Sequence, residues 1–101
     1  MPYALAGTVK LYYETTGTGH PVVFVHELAG DYRDWAEQVR FFSPQYRVVT
    51  FNARGYPPSD VPEDDAAYGQ EQATDDIAAV MRHAGIPKAH IVGLSQGAAA
   101  V

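Results

Sequence analysis

The sequence contains no cysteine, which excludes a disulfide framework, a thiolate metal site and a thiol nucleophile. Basic residues are few and scattered: seven lysines and arginines, none adjacent to another, face twelve carboxylates. The net charge of −5 and the missing basic patch argue against nucleic acid or an anionic membrane as partner, because phosphate binding needs clustered cations. No apolar run approaches the roughly 18–20 residues of a membrane span. The opening Met1-Pro2-Tyr3-Ala4-Leu5-Ala6-Gly7 lacks both the basic start and the long apolar core of a signal peptide. Repeats and low-complexity tracts are also missing. What is present is a globular composition, 47% hydrophobic and 19% charged over 101 residues, a one-domain length. The expectation is a soluble, cytoplasmic protein.

Short β-type runs alternate with helical patterns. Tyr3–Ala6 and residues 8–15, rich in β-branched and aromatic side chains, predict an antiparallel edge hairpin that ends at Gly17-Thr18-Gly19. Pro21 opens Val22-Val23-Phe24-Val25, an apolar run without alternation that suits a strand buried on both faces. Trp35, Val39 and Phe42 follow at helical spacing behind an Asp31 cap, and Pro44 stops that helix. Residues 47–51 read as a strand and 52–69 as a loop. A second helix carries Ala73, Ile77, Val80, Met81 and Ala84 on one face, closed by Gly85. A strand over 90–94 and a small-residue helix start complete the pattern. Strand–helix alternation of this kind predicts a parallel α/β sheet with right-handed crossovers.

Gly93-Leu94-Ser95-Gln96-Gly97 is a G-x-S-x-G pattern placed directly after a strand and before a helix. A tight turn there exposes the serine hydroxyl at the carboxyl end of the sheet, and the glycines let strand and helix approach. It also aims the first helical N–H groups at a developing oxyanion. Two further segments follow predicted strands: His26-Glu27-Leu28-Ala29-Gly30, and Asn52-Ala53-Arg54-Gly55-Tyr56-Pro57-Pro58-Ser59-Asp60.

In this order and spacing the three segments resemble the α/β-hydrolase superfamily, from its edge hairpin to the helix after its nucleophile elbow. The resemblance implies the N-terminal part of an α/β-hydrolase fold, a mostly parallel sheet with an antiparallel edge hairpin. It assigns Ser95 to the nucleophile and the backbone N–H groups of Gln96 and Leu28 to the oxyanion donors. Arg54 and Gly55 match a loop that is mainly structural in the family, and His26 matches a residue that shapes its own loop. Glu27 stands where the family usually has glycine, and is expected to point away from the oxyanion or to be paired, with Arg54 as candidate. Asn52 and Pro57 replace a common Asp and Gly. The family's catalytic acid and histidine come later in the chain than the elbow, and none of His20, His26, His83 or His90 is assigned as the base.

Other patterns carry no chemistry. His26-Glu27-x-x-Gly30 falls short of the zinc motif H-E-x-x-H, and neither a dinucleotide nor a P-loop glycine pattern occurs. Asp64-Asp65 and Asp75-Asp76 read as solvated faces, and Tyr12-Tyr13 and Phe41-Phe42 as packing. No cofactor and no metal are implied.

The expected function is that of a serine hydrolase acting on a carboxylic ester or related small acyl substrate through an acyl-enzyme. A non-catalytic ligand-binding protein of the same fold and one piece of a split hydrolase are the alternatives. Residues 1–101 are expected to form a single incomplete domain, because α/β domains of this kind commonly run to about 200–250 residues. Its partner would be a C-terminal half carrying the acid and the histidine. Residues 1–101 expressed alone should therefore neither turn over esters nor sediment as a stable monomer. A protected, cooperatively unfolding monomer in amide exchange, or Ser95-dependent turnover, would contradict this.

Overall fold

The first two strands are β1 (Tyr3–Ala6) and β2 (Val9–Thr16), the second rich in β-branched and aromatic residues (Val9, Tyr12, Tyr13, Thr15, Thr16). They pair antiparallel, with Tyr3 opposite Tyr12 and Ala6 opposite Val9. The structure, a computed structural model, describes residues 3–26, 31–63 and 68–93. Three more strands follow, β3 (His20–Val25), β4 (Tyr46–Phe51) and β5 (His90–Gly93). The described sheet has the order β1-β2-β4-β3-β5. The β4/β3 and β3/β5 pairs are parallel, whereas β2 runs antiparallel to β4 as well as to β1. The expected fold holds: a parallel part with an antiparallel hairpin at one edge. Among the described residues β5 lies at the other edge, with Val92 exposed.

The apolar run of β3 is buried throughout, because both faces of the sheet are covered. Val23 and Val25 join Leu11, Val49, Phe51 and the helix residues Ile77 and Val80 on one face. Val22 and Phe24 meet Val48, Trp35, Val39 and Phe42 on the other. The helices are α1 (Ala36–Phe42) and α2 (Gln70–His83). Their opposite placement follows from chirality. The chain leaves β3 to one side for β4 and returns past it to β5, and right-handed crossovers in opposite directions place their helices on opposite faces.

Local signals set the helix ends. Asp31 caps as expected, though what it caps is a 3-10 turn, Tyr32–Trp35, that leads into α1: its carboxylate accepts from the Arg33 N–H at 2.8 Å, and Asp34 reciprocates. Beyond α2, the N–H of Gly85 (φ +73°) donates to the Arg82 carbonyl and that of Ile86 to the Met81 carbonyl. This double closure, the Schellman arrangement, buries Ile86 in the core.

The turn between β2 and β3 is pressed against the one between α1 and β4. A Cβ on Gly17 (φ +86°) would lie 2.3 Å from the Ser43 carbonyl oxygen and 2.5 Å from that of Tyr46. A Cβ on Gly85 would meet nothing within 4 Å. Gly85→Ala should therefore cost about 1–2 kcal/mol, the left-handed backbone penalty alone. Gly17→Ala should cost about 1–3 kcal/mol more, since backbone must move as well. Chemical denaturation of the two variants measures the difference.

Candidate active site

In the described sheet the chain's direction of travel reverses at β3, so the carboxyl ends of β3 and β5 form a topological switch point, where open α/β sheets bind ligands. Register makes the juxtaposition specific. Val25 pairs with Gly93, the first residue of the G-x-S-x-G pattern. His26 leaves β3 one residue beyond that level, beside the strand end from which the pattern continues.

His26 is buried, and its Nε2 accepts the Ala53 N–H at 3.0 Å. A neutral ring that accepts at Nε2 carries its proton on Nδ1. The ring packs edge-on against Tyr56 at 4.6 Å between centroids, and burial pushes the Tyr56 phenol up, so it stays neutral near pH 7. Tyr32, in the 3-10 turn, donates its backbone N–H to Asn52 Oδ1 at 2.6 Å. Its ring rests on Tyr12 at 5.1 Å. The consecutive residues Asn52 and Ala53 thus hold both His26, which directly precedes segment 27–30, and Tyr32, the second residue after it.

The loop after β4 is itself riveted to the hairpin. Asn52 is fully buried; its N–H donates to the Tyr12 carbonyl, and its side-chain NH2 donates to the Pro57 carbonyl at 3.1 Å and the Tyr56 carbonyl at 3.4 Å. Ser59 Oγ donates to the Asn52 carbonyl at 2.7 Å and accepts the Tyr12 N–H at 2.8 Å. Buried and engaged in both directions, Ser59 offers no nucleophile. Asp60 accepts from the Lys10 N–H at 2.8 Å and closes the loop on β2.

Arg54 reaches α2. Its Nε and one Nη meet the two oxygens of Asp76 at 2.8 and 2.5 Å, which holds the guanidinium above its usual value. The reading of Asp75-Asp76 as a solvated pair is corrected here: Asp75 is exposed, but Asp76 is 1% exposed and ion-paired. The signal was available. Asp76 stands three residues after Ala73 and four before Val80, on the same helical stripe that predicted the core face.

The family profile described as alpha/beta hydrolase fold matches residues 20–101. The chain belongs to the α/β-hydrolase fold family. It is 36% identical to 3-oxoadipate enol-lactonase 1 of Acinetobacter baylyi over 75% of its own length and 27% of that protein's. Its fold superposes on an enol-lactonase from Burkholderia xenovorans with a TM-score of 0.90 at 31% identity, covering 98% of this chain and 39% of that one. An epoxide hydrolase from Bacillus megaterium gives a TM-score of 0.90 at 27% identity, over 96% and 34% of the two chains. The chain thus spans between about a quarter and two-fifths of these relatives' lengths. No helix among the described residues is long and apolar enough to cross a membrane, and none of their histidines and carboxylates form a cluster of three or more suited to a metal ion.

Ser95, Gln96, Leu28 and Glu27 lie outside the described residues. The structure therefore speaks to what flanks them, and the Arg54 side chain meets Asp76 among the described residues. It also explains one departure from the α/β-hydrolase loop pattern. At position 52 an amide accepts from Tyr32 and donates to two carbonyls, whereas a carboxylate has no proton to donate. Asn52→Asp should cost about 1–3 kcal/mol at pH 7. Facing carbonyl oxygens, the new carboxyl would have a folded pKa above its unfolded value. The deficit should then be full above the folded pKa and shrink as pH falls through it. Urea unfolding at several pH values tests both sign and size.

Proposed function

We propose that the protein carrying this chain is a serine hydrolase that cleaves a carboxylic ester or a related acyl compound, a lactone included, through a covalent acyl-enzyme. Ser95 is the nucleophile and attacks the carbonyl carbon. The Gln96 and Leu28 backbone N–H groups stabilise the resulting oxyanion. In the family, the histidine that activates the serine and the acid that orients it follow the elbow in chain order, and both roles fall to residues beyond this chain.

The observation that carries this reading is the parallel register of β3 with β5, which sets Val25 level with Gly93 at the switch point. It sets the strand end that leads into the segment holding Leu28 next to the strand end that leads into the G-x-S-x-G pattern. The ties from Asn52 and Ala53 to both flanks of segment 27–30 support a donor that is held in place before substrate arrives. The likeness to enol-lactonases, whose name denotes action on a cyclic ester, fits the substrate class. The epoxide hydrolases of the superfamily place an aspartate at the elbow, so Ser95 separates this chain from their chemistry.

The test uses the complete protein and a fluorophosphonate probe. The wild type should be labelled on Ser95, and Ser95→Ala should lose labelling and several orders of magnitude in ester turnover. Gln96→Ala should retain substantial activity, because the assigned group is the backbone amide. Unchanged labelling in Ser95→Ala would overturn the assignment. A folded wild type that binds acyl ligands without labelling would favour the non-catalytic reading, for which Glu27, in place of the usual glycine, is the local observation.

A further inference from the structure

At the other end of the same two strands, away from the candidate active site, two histidines stand together. His20 is the first residue of β3 and His90 the first of β5, and both are exposed. Val22 pairs with His90 in the parallel register, and His20 lies two residues before Val22. Side chains two apart on a strand share a face, so His20 and His90 are diagonal neighbours on one face of the sheet. Their ring centroids are 4.7 Å apart, with the planes tilted by 55°.

That separation falls within the range that two imidazoles sharing one metal ion adopt. A metal holds imidazole nitrogens at about 2.0–2.1 Å, which puts each ring centroid about 3.2 Å from the ion; at N–metal–N angles of about 90–110° the two centroids are then about 4.5–5.2 Å apart. The ring nitrogens are also available. His26 uses Nε2 to accept from Ala53, and His83 Nδ1 is 2.6 Å from the Tyr13 hydroxyl. Neither the His20 ring nor the His90 ring makes a hydrogen bond or ion pair to another described residue. The backbone that carries them is a paired parallel ladder, so little ordering remains to be done when an ion binds.

We propose that His20 and His90 form a two-imidazole site for a divalent transition-metal ion at the amino ends of β3 and β5. Imidazole donors suit copper(II), nickel(II) and zinc(II), with copper(II) bound most tightly. No third histidine or carboxylate among the described residues completes a cluster, so water fills the remaining positions. The bound ion clips the short strand β5 to the central strand β3. The site lies at the opposite strand ends from His26, and metal binding itself reads its occupancy, without an activity assay.

The experiment titrates untagged, complete protein with Cu2+ and then Zn2+ chloride in a non-chelating buffer, followed by calorimetry. One equivalent should bind, Cu2+ more tightly than Zn2+, and the electron paramagnetic resonance spectrum of the copper form should show coupling to two nitrogen nuclei. His20→Ala and His90→Ala should each weaken binding at least tenfold, while His83→Ala leaves it unchanged. The ion should raise the thermal midpoint of the wild type and not that of either variant. His20→Asn and His90→Asn replace an alanine variant that loses its fold. Affinity unchanged in both variants, a single coupled nitrogen, or no stoichiometric binding would each overturn the proposal.

Discussion

β3 makes hydrogen bonds along both edges and packs apolar side chains on both faces, and every other described element is arranged around that double demand. Parallel neighbours on either side require two crossovers, one to β4 and one past β3 to β5. Burial on both faces requires a helix on each, which α1 and α2 supply. Because both crossovers have the same hand, the chain's reversal at β3 makes the carboxyl ends of β3 and β5 the topological switch point of the sheet. The position of the candidate site is thus a consequence of how one apolar strand is satisfied.

What fixes the loop after β4 is polar and buried. Asn52, Ser59 and Asp76 are each almost inaccessible, and each has its hydrogen-bonding capacity taken up by a neighbour. Asn52 links β4 to the 3-10 turn and to its own loop, Ser59 links that loop to β2, and Asp76 anchors Arg54 to α2. A buried group of this kind is costly when left unpaired, so the network holds one loop geometry and resists its alternatives. Removing Arg54 would leave the buried Asp76 carboxylate without its ion-pair partner, a loss on the order of 3–5 kcal/mol. The same loop is tied to His26 through the Ala53 N–H and to Tyr32 through the Asn52 amide oxygen.

The two ends of β3 and β5 have different chemistry for the same geometric reason. Parallel pairing aligns like ends, so residues that begin or finish neighbouring strands meet in fixed order. At the carboxyl ends this sets Val25, next to His26, level with Gly93, where the G-x-S-x-G pattern begins. At the amino ends it sets two imidazoles side by side.

Much of this was legible in the residues alone. The uninterrupted run of 22–25 announced a strand covered on both faces, because no solvated face was left for polar alternation. The 3.6-residue stripe of α2, the Asp31 cap and the Gly85 stop are local events that neighbouring residues decide among themselves. The three loop motifs and their order carried the family. Strand order was not legible, since the placement of β4 between β2 and β3 joins segments far apart in sequence and leaves no local trace. The buried partners of Asn52, Ser59 and Asp76 are likewise non-local. Asp76 shared the helical stripe of Ala73 and Val80 and so belonged to the core face, yet beside Asp75 it looked solvated. Only the arrival of Arg54 from a loop over twenty residues away made a carboxylate tolerable there. Sequence determined which segments were strands, helices and chemistry-bearing turns, because those depend on short-range periodicity and backbone freedom. Tertiary structure decided which buried polar groups were satisfied and which strand ends met, because both depend on residues that approach only when the sheet has closed.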